Sequence, residues 1–142
     1  MTALILPVAG KSSRFPNMRP KWLLTMPSGL LMVEESCQGL PLNDYDRIIL
    51  ICLRENLQAY VSLDKLLASL RLNIRNDIEL VILDEPTASH AETVFEGLTR
   101  AQVTGPFFLK DCDNRFCIDF DSSNSISVVD LNSTGLVDAK NK

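Results

Sequence analysis

Long hydrophobic runs are missing from this 142-residue chain. Nothing in it approaches the roughly 18 uninterrupted apolar residues that mark a membrane span. The apolar run Ala3 to Ala9 has no basic region before it and is too short for the core of a signal peptide. A basic excess is missing as well. Fourteen Lys and Arg against eighteen Asp and Glu, with one histidine, leave a net charge of -4. That balance argues against a general nucleic-acid or membrane-surface binder. The four cysteines, Cys37, Cys52, Cys112 and Cys117, have neither C-x-x-C spacing nor the pattern of a disulfide framework. They are expected as buried thiols in a reducing cytosol. Internal repeats and low-complexity tracts are absent too, so the expectation is a soluble, cytoplasmic protein.

What remains is an ordinary globular composition, 46% hydrophobic and 23% charged, in a length that suits one domain with a real core. Continuous apolar stretches predict strands at Leu4 to Val8, Arg47 to Leu53, Asp77 to Leu83 and Phe107 to Lys110. A further strand is expected at Ser125 to Asp130, and a short one at Trp22 to Met26. Helical spacing predicts helices from about Leu30 to Leu40 and from Asn56 to about Leu72, the latter as one or two segments. A third helix should start at Ser89, where Ser89-His-Ala-Glu92 has the form of a capping box. Strand and helix alternate, which predicts a Rossmann-like, three-layer α/β sandwich with a mostly parallel central sheet. Ligands of such sheets sit at the carboxyl ends of the strands. The stretches 9–21, 84–92 and 111–113 each follow a predicted strand and can converge there.

The chemistry concentrates in the turn after the first strand. Gly10 lets the backbone come close to a ligand, and Lys11, Arg14, Arg19 and Lys21 supply positive charge. Loop N–H groups and basic side chains together suit a polyphosphate. Gly10-Lys11-Ser12 copies the end of the P-loop pattern G-x-x-x-x-G-K-[ST], but that pattern needs glycine at position 5, where Ile5 stands. A Walker A site is therefore excluded.

Ala9-Gly10-Lys11-Ser12-Ser13-Arg14-Phe15, followed by Pro20-Lys21, resembles the signature of the sugar-nucleotide-type nucleotidyltransferases, roughly A-G-x-G-[ST]-R-[FM] and then P-K. Ser12 stands where that family has its second glycine. The resemblance implies the nucleotide-diphospho-sugar transferase-like (GT-A-like) fold. It also implies transfer of a nucleotidyl group from a nucleoside triphosphate to a phosphorylated small molecule such as a sugar phosphate, with pyrophosphate released, as in making precursors of surface polysaccharide. Arg14 and Lys21 map onto the catalytic, phosphate-holding residues. Nucleotide contacts map onto Pro7, Val8, Ala9, Gly10, Lys11, Ser12 and Ser13 as well. Phe107 to Phe116 looks like the family's metal segment, which implies Mg²⁺ held by Asp113, with Asp111 assisting. Thr87 to Val94 looks like the base-reading loop, with Ser89 and His90 in place of the usual glycine and glutamine.

Each of these residues also has a plainer explanation. A capping role accounts fully for Ser89, a solvated helix start accounts equally for His90, and two acids in a turn are common without any metal. Asp84 and Glu85 are read as plain loop acids. The resemblance covers almost the whole chain, 1–142, as a single nucleotide-binding domain. Family members continue further, into an acceptor pocket and a second metal-binding aspartate, so the domain is expected to be incomplete at its C-terminal end. Two alternatives stay open. One is a catalytically weak or inactive nucleotide-binding module that lacks the acceptor half. The other is a glycosyltransferase of similar fold using Asp111 and Asp113, against which the Arg14 and Pro20-Lys21 loop speaks.

Overall fold

The computed structural model describes residues 1–10, 17–118 and 123–126. Strand β1 is Ala3–Pro7 and β2 is Arg47–Leu53, both continuous in apolar side chains apart from Arg47. Helices α2, Arg54–Tyr60, and α3, Leu63–Asn73, lead to β3, Glu79–Leu83. Helix α4, His90–Arg100, then returns the chain to β4, Phe107–Leu109. A shorter helix, α1, occupies Met32–Cys37 between β1 and β2.

Among the described residues the strands form one sheet of order β3-β2-β1-β4, and every pairing is parallel. Leu4 pairs with Ile48 on one side and Phe108 on the other. Because a parallel sheet is covered on both faces, alternate residues of one strand enter different layers. Leu4, Leu6, Ile48, Leu50 and Cys52 pack with Val33 and Cys37 of α1, Leu57 of α2, and Leu66 and Leu70 of α3. Ala3, Ile5, Ile49, Ile51 and Leu53 pack on the opposite face, against Leu98 and Ala101 at the end of α4. The architecture is the expected three-layer α/β sandwich. Full burial of each of these aliphatic side chains contributes roughly 1.5–3 kcal/mol before chain entropy is set against it.

Helix α4 crosses β2 at Gly97, where a Cβ would lie 2.0 Å from Ile51 Cδ1. Glycine here permits a close approach of helix to sheet. On the other face, buried Glu34 joins α1 to α3. Its carboxylate accepts the Leu31 N–H at 2.7 Å and the Ser69 hydroxyl at 2.5 Å.

Three elements differ from the expectation. Residues 22–26 do not form a strand: Lys21–Leu23 is a 3₁₀ turn entered from Pro20, and only Thr25 bridges, antiparallel, to Leu31. Pro20 sets the φ that starts the turn, and Gly29 at φ +87 closes the hairpin between the bridged residues. The helix expected over 30–40 shrinks to α1, because Leu31 is held in the bridge and the chain turns at Gly39, φ +96. The region 56–72 divides at Val61, which is extended, and α3 restarts with Asp64 in its first turn. Of the strand expected at 125–130, Ser125 and Ile126 are described and are not in a strand; the remainder lies outside the described residues. No helix among the described residues is long and apolar enough to cross a membrane.

Candidate functional site

The strand order places a topological switch beside β1. From β1 the chain winds outward through β2 and β3 with its helices on one face, then α4 crosses the other face to reach β4 on the far side of β1. Ligands of such sheets sit at the carboxyl ends of the strands that flank a switch point, here β1 and β4. The segments that follow both strands lie on the α1 face, where Phe116 and Ile118 pack on the same cluster as Trp22, Leu23 and Val33.

Three chain segments meet at this end of the sheet. Lys21, from the loop after β1, places Nζ 3.5 Å from Asp113 Oδ2, in the turn after β4. His90, the first residue of α4, places Nε2 3.2 Å from Asp111 Oδ1 in the same turn. All four side chains are more than half exposed. Polar contacts this open to solvent contribute little to stability, about 0–1 kcal/mol for an ion pair such as Lys21–Asp113, so these groups are free to exchange one another for a ligand.

The acidic turn owes its polarity to the alternation of β4. Phe107 and Leu109 are exposed, Phe108 packs into the core, and the pattern continues past the strand. Lys110 and Cys112 are buried, whereas Asp111 and Asp113 are exposed. Two carboxylates thus face solvent together above a buried thiol, whose pKa burial pushes up to about 12. Two exposed carboxylates on one turn form a hard oxygen donor set of the kind Mg²⁺ takes, with waters and phosphate completing its shell. Among the described residues no group of three or more His, Cys, Asp and Glu side chains is placed to hold a metal ion.

Lys110 was expected only as the end of a strand, yet it underlies this turn. Its residue exposure is 1%. Its ammonium donates to the carbonyl of Asp111, to the carbonyl of Asn114 at 2.8 Å and to Asn114 Oδ1 at 2.6 Å. It also lies 4.6 Å from the centre of the Phe116 ring. Burial pulls its pKa below the ordinary lysine value, while the neighbouring thiols and the carboxylates of Asp111 and Asp113 oppose that pull. The signal was present in the sequence as period-two alternation, which puts Lys110 on the same inward face as Phe108.

The other expected residues fall as follows. Pro7 ends β1, half-buried, and Gly10 is exposed. Val8 and Ala9 are buried, and the Val8 N–H donates to Ile51 O at 2.8 Å, so both belong to the core. Ser89 caps α4, its hydroxyl accepting the Glu92 N–H at 3.1 Å, while the Glu92 carboxylate accepts the Ala88 N–H at 2.5 Å. Arg19 donates to Tyr60 O at 2.9 Å, which ties the loop after β1 to α2. Asp84 pairs with Arg54 at 2.6 Å and with Arg100 at 3.8 Å, which fits the reading of a plain loop acid. Lys11, Ser12, Ser13 and Arg14 lie outside the described residues.

Sheet order and layers define a doubly wound, Rossmann-like α/β protein. A solved structure with the same fold is a nucleotidyl transferase from Methanothermobacter thermautotrophicus. It matches with a TM-score of 0.52 and 16% identity, over 80% of this chain and 50% of that one. The present chain thus spans half the length of that structure. No protein-family model matches the chain, and no curated protein matches it either.

Proposed function

We propose that the protein is a nucleotidyltransferase that couples a nucleoside triphosphate to a phosphorylated small molecule, a sugar phosphate, and releases pyrophosphate in the cytoplasm. The observation that carries this reading is the meeting of Lys21 with Asp113 at the carboxyl ends of β1 and β4. A cation from the first loop and an acid from the last are what a triphosphate and its magnesium ion require at one place. The likeness in fold to a nucleotidyl transferase supports the same class of reaction.

In this reading an oxygen of the acceptor phosphate attacks the α-phosphorus of the triphosphate. One P–O bond forms, the bond to the β-phosphate bridge breaks, and pyrophosphate leaves with that electron pair. Both reactants are anions, so the protein's task is alignment and neutralisation of charge. Lys21 exchanges its partner Asp113 for a phosphate oxygen, and Arg14 holds a second one. Asp113 and Asp111 would hold Mg²⁺, which when bound neutralises charge on the triphosphate. His90, released from Asp111, stands at the start of α4 where a base or ribose can be contacted. The backbone from Val8 to Gly10 forms the floor of the site.

The test incubates the protein with each nucleoside triphosphate, Mg²⁺ and a panel of sugar phosphates while pyrophosphate is followed. Release that requires one triphosphate and one acceptor supports the proposal. Nucleotide binding without release by any combination favours a nucleotide-binding module without turnover, and absence of both removes the reading.

A further inference from the structure

A buried ammonium is expensive to keep unless every one of its protons finds an acceptor and its charge has a counterpart. Lys110 meets the first condition without a direct carboxylate contact: its three protons match three acceptors, all on Asp111 and Asn114. The face of Phe116 at 4.6 Å adds a cation–π contact. These acceptors bracket Asp113, because Asp111 and Asn114 lie on either side of it in the turn. The ammonium therefore closes the turn from below, and that closure leaves Asp111 and Asp113 on its outer side. Polar acceptors of the turn's own backbone point inward, away from any ligand above it.

We infer that Lys110 is a positioning residue which holds the Asp111 and Asp113 carboxylates in the arrangement that takes a divalent cation. The inference rests on the nucleotidyltransferase reading given above and extends it to a group that touches no substrate. Partners in this supporting position orient the ligands of a metal site, and their loss typically weakens metal affinity by about 10–100-fold. Lys110 reaches the turn mainly through carbonyl oxygens, so a shape-retaining apolar side chain at this position would pack but release the turn.

Mn²⁺ serves as the probe, with the free ion measured by electron paramagnetic resonance in titrations of the folded protein. Lys110→Met is expected to weaken Mn²⁺ binding about tenfold. Asn114→Ala, which removes one of the three acceptors of the Lys110 ammonium and keeps the lysine, should weaken it less but in the same direction. Thermal unfolding and circular dichroism establish that each variant is folded. Wild-type affinity in both folded variants overturns the inference, even if their melting temperatures fall, because a purely structural lysine would behave in that way. If Lys110→Met does not fold, Asn114→Ala alone decides. If wild-type protein binds no Mn²⁺ and Asp113→Ala changes nothing, the nucleotidyltransferase reading fails and the inference falls with it. Wild-type binding that Asp113→Ala removes and Lys110→Met leaves intact overturns the inference about Lys110 alone.

Discussion

Lys21 follows β1 and Asp113 follows β4, the two strands that flank the switch point of the sheet, and their charged atoms are 3.5 Å apart. Each side chain is more than half exposed, so solvent screens the pair and little stability depends on it. Lys21→Ala and Asp113→Ala are expected to shift the melting temperature by no more than a few degrees. Turnover should fall by about 10²–10³-fold or more in each. Pyrophosphate release at unchanged rate in both variants would remove these residues from the proposed chemistry.

Helix α4 brings His90 to Asp111, and Ser89 fixes where that helix begins. Ser89→Ala should destabilise the protein by about 1 kcal/mol, because the Glu92 N–H loses its acceptor. Ser89→Asp, which restores an acceptor at the same position, should recover most of that loss. Urea denaturation measures both, and equal stability of the serine and alanine proteins would show that the cap contributes nothing.

Gly97→Ala sets two effects of opposite sign against each other. Alanine improves helix propensity by about 1 kcal/mol. Its Cβ, however, would meet Ile51 Cδ1 at 2.0 Å and Cγ1 at 2.6 Å, inside a fully buried layer. Overpacking of this kind costs roughly 1–3 kcal/mol, and a clash with two atoms belongs at the upper end. The net expectation is destabilisation by about 1–2 kcal/mol. Adding Ile51→Val deletes the nearest atom and should make the Gly97→Ala change less harmful than in the wild-type background. A Gly97→Ala protein more stable than wild type would show that α4 can rise off the sheet at little expense.

Burial raises the Cys52 thiol from the ordinary value of 9.0 to about 12, with desolvation the sole cause. Above pH 9.0 the unfolded chain loses this proton while the folded chain keeps it. The unfolded state then binds fewer protons, so stability falls as pH rises, at up to about 1.4 kcal/mol per pH unit until the folded pKa is reached. Cys37, raised to about 11, and Cys112, raised to about 12, act in the same direction. Lys110, whose folded pKa is lowered, opposes them below its ordinary value of 10.5. Comparing wild type with Cys52→Ala cancels the contributions they share. Cys52→Ala should lose stability less steeply between pH 9 and 11, as chemical denaturation at each pH will report, and parallel curves would contradict the assignment.

Much of the layer structure was legible before any coordinates. Arg47 to Leu53 could only be a strand buried on both sides, because seven residues so nearly continuous in apolar character have no other economical burial. The cap at Ser89 and the start of α4 were legible for a local reason: the acceptor, the donor and Glu92 all lie within one turn. The failure at Trp22 to Met26 is equally physical. Trp22 and Leu23 are buried, but the Pro20 entry and the Gly29 hairpin impose a 3₁₀ turn that composition alone does not reveal.

By itself the sequence determined the alternation of elements, the two-faced core, and which segments carry charge at strand ends, because each of these depends on neighbours within a few residues. Tertiary structure alone decided which charges meet. Lys21 reaches Asp113, and His90 reaches Asp111, only because β4 returns to pair beside β1 rather than beyond β3. Alternation places Lys110 on the inward face with Phe108, but the folded turn alone brings the carbonyl of Asp111 and both acceptors of Asn114 to its ammonium, because those contacts depend on how the chain closes after β4.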